Sequence, residues 1–173
     1  MITIFEDVCN PISQDFYDKT INSIQLHQLT CTCGHSACLT IHAYYKRRLK
    51  SEDGSVKLKI CRVKCSNCQK THALLPSFIV PYSQVSFQDQ LEIISCYESS
   101  QDYQDIMDNT PSIDESCIRS IIRRYVHHWL ERILSIHSSA SHSLDFIQLC
   151  FETFGRQFMQ IKRTPNILFL TPP

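Results

Sequence analysis

Apolar and polar positions alternate most cleanly over residues 56–61. Val56, Leu58 and Ile60 interleave with Lys57, Lys59 and Cys61, the two-residue period of a half-exposed strand. The stretch from Leu39 to Tyr45 is rich in β-branched and aromatic residues, and Ser51-Glu-Asp-Gly54 between the two runs is a turn signal. Residues 39–61 therefore read as a hairpin, with Thr71 to Leu75 as a third strand. Beyond residue 86 the period lengthens. Ser86 and Asp89 open a helix with the stripe Phe87, Leu91, Ile94, Tyr97, and a short helix is expected over 101–108. After the turn Asn109-Thr-Pro-Ser112, Ser112 and Glu115 fit a capping box. Ile118, Ile121, Ile122, Tyr125, Val126, Trp129, Leu130, Ile133 and Leu134 then recur at helical spacing. A Ser/His stretch over 135–143 ends this helix. Another is expected from Leu144 to Phe154, stopped by Gly155. Residues 1–30 read as a helical or irregular lead-in, and residues 156–173 as an extended tail.

Composition sharpens this picture. In 173 residues, 17 basic side chains balance 17 acidic ones, but in opposed blocks. Residues 42–72 hold nine cations against two acids, whereas 84–118 hold eight acids and no Lys or Arg. A positive block of that density suits a polyanionic partner. No apolar run is long enough to span a membrane. Glu6 and Asp7 stand where a secretory leader carries Lys or Arg, so the expectation is a cytoplasmic rather than a secreted protein.

Ten cysteines in a chain without a secretory leader point to metal rather than disulfides. Cys65-Ser-Asn-Cys68 is a C-x-x-C knuckle directly after a strand. About thirty residues earlier stands an irregular partner, Cys31-Thr-Cys33-Gly-His-Ser-Ala-Cys38. Two knuckles flanking a hairpin are the pattern of a zinc ribbon, in which one ion substitutes for a missing core. Cys33, Cys65 and Cys68 are three expected ligands of one structural Zn²⁺ per chain. The fourth is Cys31 or Cys38, with His35 a further option. His72 reads first as a strand-surface residue and second as a ligand; Cys9, Cys96, Cys117 and Cys150 read as ordinary thiols, and Cys61 lies just before the second knuckle. No His-x-Glu occurs, so the zinc-deaminase signature is missing; no nucleophile elbow or phosphate loop is present either. The expectation is a protein that is not an enzyme.

Between the knuckles, Tyr44, Tyr45, Lys46, Arg47, Arg48, Lys57 and Lys59 combine cations with rings, a surface suited to nucleic-acid phosphates. The short helix, turn and capped long helix have the order of a helix-turn-helix unit. Arg119, Arg123 and Arg124, with Ser120, His127 and His128, lie on the polar side of that long helix. The fold class expected is α+β: a small zinc ribbon of three antiparallel strands, then an all-α helix-turn-helix-like region. Its divisions are a lead-in (1–30), ribbon (31–76), linker (77–85), helical domain (86–136) and C-terminal helix with tail (137–173).

The segments Cys31–Cys38, Ile41–Arg47, Cys61–Cys68 and Thr71–Pro76 resemble the N-terminal zinc ribbon of bacterial insertion-sequence transposases. The whole of 31–170 more closely resembles a bacterial family of uncharacterised zinc-ribbon proteins linked with mobile elements, through Ile79–Ser83, Pro111–Glu115 and Phe154–Lys162. That resemblance implies a DNA-binding accessory or regulatory protein without a transposase's catalytic core. A second expectation is a protein-docking adaptor that engages a transposase or other partner through residues 158–170. The long helix is as well suited to packing internally as to forming a homodimer through Trp129 and Ile133.

Overall fold

A computed structural model describes residues 1–5, 12–51, 54–99, 102–136 and 144–161. Cys9, the hairpin tip at Glu52 and Asp53, most of the Ser/His stretch and the tail from residue 162 lie outside the described residues. The architecture is α+β. Strands β1 (Ile2–Ile4), β2 (Leu39–Ser51), β3 (Gly54–Cys65) and β4 (Thr71–Pro76) form one sheet in the order β1-β4-β3-β2. The sheet is mixed, because β1 runs parallel to β4, with Ile2 opposite Leu74 and Ile4 opposite Pro76. It is therefore not the three-stranded antiparallel ribbon expected from the sequence. The first residues are a strand because Ile2 and Ile4, each 1% exposed, bury against Leu74 and Val63.

Helix α1 (Gln14–Ser23) is capped by the Ser13 hydroxyl, which accepts from the Phe16 amide. It flanks β3 where that strand has left β4. Gln14 there accepts from the Lys59 amide at 2.6 Å. The buried Tyr17 hydroxyl donates to the Leu74 carbonyl at 3.0 Å and accepts from the Cys61 amide at 2.8 Å. These bonds satisfy backbone groups that the diverging strands would leave unpaired. The connecting segment 77–85 packs on the rest of the chain, as its apolar content suggests. Phe78 and Ile79 join the core under the hairpin, and Val80 and Val85 join the helical core.

The helical part comprises α2 (Phe87–Glu98), α3 (Tyr103–Asn109), α4 (Glu115–Tyr125), a π-helical turn (Val126–Leu130), α5 (Glu131–Leu134) and α6 (Leu144–Phe154). α4 starts later than the capping-box pattern predicts: Asp114 is the N-cap, and its side chain makes no capping bond. Gly155, at φ +59, ends α6 in the left-handed conformation that glycine adopts without strain. The chain then turns back into the core instead of extending. Phe158 is fully buried, its ring edge-on to those of Phe87, Tyr125, Trp129 and Phe146. Gln157 donates to the Ser77 carbonyl at 2.6 Å. Trp129 and Ile133 are completely buried by the chain itself, so neither is free to form a dimer seam.

Candidate metal centre and cationic hairpin face

Two tight turns bring four sulfur atoms together. In the first, the Gly34 amide donates to the Cys31 carbonyl at 2.8 Å and the Cys31 amide to the His35 carbonyl at 2.9 Å. Gly34 sits at φ +88, and this left-handed residue lets the chain reverse between Cys33 and His35. In the second, the Cys65 amide donates to Lys70, the Gln69 amide to the Cys65 carbonyl, and the Cys68 amide to Cys65 Sγ at 3.4 Å. The Ser66 amide donates to the Cys38 carbonyl at 2.8 Å and ties the turns together.

The Sγ atoms of Cys31, Cys33, Cys65 and Cys68 all lie within 4.8 Å of one another. Cys31 and Cys68 are 3.5 Å apart, and Cys33 and Cys65 3.8 Å. Metal–sulfur bonds of about 2.3 Å in a tetrahedron require sulfur–sulfur edges of about 3.8 Å. The four cysteines could therefore hold a metal ion such as zinc. Cys38 stands beside the cluster: its Sγ is 3.3 Å from Cys65 Sγ and donates to the His35 carbonyl at 3.1 Å.

The electrostatics of the thiols fit the same donor set. A backbone hydrogen bond at His35 lowers the Cys33 thiol to about 5, helped by Cys31 and Asn67. The Cys68 amide lowers Cys65. The Lys70 amide pulls Cys68 down, but burial and the thiols of Cys31, Cys65 and Cys33 outweigh it and push Cys68 to about 12. Burial pushes Cys38 to about 11. Without a cation, packed thiolates repel, so some thiols stay protonated; a dication removes that repulsion and lets all four ligands ionise.

His72 is not on the strand surface. It is 4% exposed, with Nε2 3.3 Å from Cys31 Sγ and Nδ1 3.4 Å from the Met1 amino nitrogen. In the tautomer protonated at Nε2, the ring donates to the Cys31 sulfur, an outer-shell hydrogen bond that fixes a ligand's orientation. Its place just after the second knuckle already pointed to the cluster, but its partner Cys31 lies 41 residues away and only the fold brings the two together.

The hairpin rises from this centre, and its register sorts the sequence-predicted residues. Lys46 stands directly opposite Lys59, and Arg48 opposite Lys57. All four are exposed and project from the same face, beside the exposed Tyr44, whose ring lies 4.7 Å from the Lys59 ammonium. The salt bridges among the described residues are Lys50–Asp114 and Arg119–Glu115, so none of the four has a carboxylate partner there. Tyr45 and Arg47 belong to the opposite face: they pair with Ile60 and Leu58 in the buried register. The Arg47 guanidinium donates to the carbonyls of Val80 and Ser83 and pins the connecting segment.

On α4, Arg119 bonds Glu115 and stacks over Tyr103 at 5.2 Å. Arg123 is exposed and Arg124 half-buried. No helix among the described residues is long and apolar enough to cross a membrane.

These features define the class: an α+β protein whose cationic hairpin is rooted in a four-cysteine cluster. The chain belongs to the family described as a domain of unknown function (DUF6431), whose model matches residues 30–125. The match takes in all four clustered cysteines, the hairpin and α2 to α4. No curated protein and no solved structure matches the chain.

Proposed function

We propose that this is a non-enzymatic, zinc-stabilised protein that binds double-stranded DNA through the exposed face of its hairpin. The observation that carries the proposal is the cross-strand register. Like charges placed directly opposite destabilise a sheet, yet Lys46–Lys59 and Arg48–Lys57 are two adjacent pairs of them. A polyanion reverses the sign of that cost, because each cation then neutralises a phosphate. Tyr44 beside them offers a ring to sugar or base.

Cys31, Cys33, Cys65 and Cys68 would hold the ion, with Cys38 outside the set. Four thiolate ligands leave no open coordination position, the arrangement of a structural site. Zinc would supply the cross-link that fixes the two cysteine turns at the base of the hairpin, beside the small core of Leu29, Leu39, Val63 and Leu74. α3, its turn and α4 keep the order of a helix-turn-helix unit. However, the N-terminal residues of a recognition helix face the bases, and here they are Asp114 and Glu115. That acidity, with Arg119 engaged by Glu115, favours the hairpin over α4 as the DNA-contacting face in this reading.

The resemblance to mobile-element proteins suggests recognition of element ends for a partner transposase, or control of the element's transcription, in the bacterial cytoplasm. An adaptor role through residues 158–170 is less favoured, since Phe158 is consumed by the helical core. The test is the affinity of the zinc-loaded protein for a random duplex against salt. The reading requires log affinity to fall linearly with log salt at a slope near −3.6, four phosphate contacts. Absence of binding at low salt would overturn it.

A further inference from the structure

The polar side of α4 carries a second group of cations, remote in sequence from the hairpin face. Ser120, Arg123, Arg124, His127 and His128, with Ile161 from the C-terminal turn, line a cavity of about 500 Å³. Positions 120, 123, 124 and 127 share a helix face by their spacing. The π turn over Val126–Leu130 carries both imidazoles, and single π turns recur at functional sites.

Arg124 is the group without an internal explanation. It is half-buried, and burial disfavours its charge with no carboxylate opposing that effect among the described residues. Asp114 and Glu115, which begin the same helix, are occupied by Lys50 and Arg119. Ser120 and Arg124 also line a neighbouring cavity of about 350 Å³, together with Lys50 and the Asp114 that Lys50 engages. A partly buried cation is ordinarily paired, and no carboxylate among the described residues pairs with this one.

We propose that this cavity binds a phosphate monoester of nucleotide size. Two guanidinium groups, two imidazoles and a hydroxyl line it, with no acid in the lining. A terminal phosphate has enough acceptor oxygens to engage several of these donors, whereas a single carboxylate satisfies little more than one guanidinium fork. A bare phosphate leaves most of the volume empty, and the size falls in the range of small-molecule sites. Ile161, 44% exposed, offers the remainder of the ligand an apolar wall.

The test is calorimetric titration of the full, zinc-loaded chain with adenosine 5′-monophosphate and, in parallel, adenosine. The nucleotide is expected to bind saturably at one per chain and adenosine not to bind. Arg124→Gln and the exposed pair His127→Gln/His128→Gln should each weaken the nucleotide by about tenfold, one charge-assisted hydrogen bond. The double histidine variant keeps the test valid if the arginine variant folds poorly. Lys46→Gln/Lys57→Gln on the hairpin should bind the nucleotide as the parent does. Displacement by a 5′-phosphorylated oligonucleotide, but not by its 5′-hydroxyl twin, assigns the site to a nucleic-acid end. Displacement by neither assigns it to a free nucleotide. Equal binding of nucleotide and nucleoside, no saturable binding, or full affinity in both variants overturns the proposal.

Discussion

Replacing Lys46 and Lys57 with Gln separates binding from folding, because the two should move in opposite directions. The pair takes one member from each like-charged couple, Lys46–Lys59 and Arg48–Lys57, and leaves Lys59 over the Tyr44 ring. Four phosphate contacts give a slope of log affinity on log salt of about −3.6, which is a loss of about 150-fold between 50 and 200 mM. With two contacts the slope falls to about −1.8 and the loss over the same interval to about 12-fold. Stability should not suffer. Each relieved like-charge pair is worth about 0.2–1 kcal/mol, towards the lower end for exposed side chains, so urea unfolding should show an unchanged or slightly raised midpoint. Fluorescence anisotropy of a labelled random duplex, over a salt series for parent and variant, measures the slopes. An unchanged slope in a folded variant would refute the reasoning, since the hairpin face would then touch no phosphate.

Arg47→Ala should behave in the reverse manner. Losing the guanidinium bonds to Val80 and Ser83 should cost about 2–4 kcal/mol of stability, read as a lower urea midpoint, while the salt slope of the folded fraction stays unchanged. Phe158→Ala empties a site enclosed by four aromatic rings and should cost about 3–5 kcal/mol, seen in the same unfolding assay; a mere docking residue would leave stability untouched. Cys61 and Cys150 are each 1% exposed, and burial raises both thiols, Cys150 to about 12. Neither should be alkylated at neutral pH in the folded, zinc-loaded protein, as peptide mass mapping would show, because the thiolate is the reactive form.

Local pattern made much of this fold legible. The Val56, Leu58, Ile60 alternation becomes β3 with those residues turned inward, and the apolar stripe from Ile118 to Ile133 becomes the spine of the helical core. The C-x-x-C turn and its distant partner converge on one cluster. What escaped reading depends on long-range pairing. β1 is three residues long, and only its parallel alignment with β4 makes it a strand. The ambiguity between Cys31 and Cys38 turns on how one loop closes: the Gly34 amide folds Cys31 inwards, while the Cys38 thiol is spent on the His35 carbonyl. Arg47 was readable in principle. Its parity matches Tyr45 and Leu49, the inward set of β2, so the two-residue period already separates it from Lys46 and Arg48. Phe158 was not readable, because a turn after Gly155, not a periodic element, carries it back into the core.

The four-cysteine centre is where the hairpin and the knuckles are held together, and one measurement reaches it directly. Native mass spectrometry of the protein and of its Cys31→Ser and Cys38→Ser variants counts metal per chain. One zinc is expected in the parent and in Cys38→Ser, and none or a weakly held ion in Cys31→Ser, which should also lose folded hairpin because structural zinc contributes about 10–16 kcal/mol. A parent without metal, or a Cys31→Ser variant that keeps its zinc while Cys38→Ser loses it, would contradict the account.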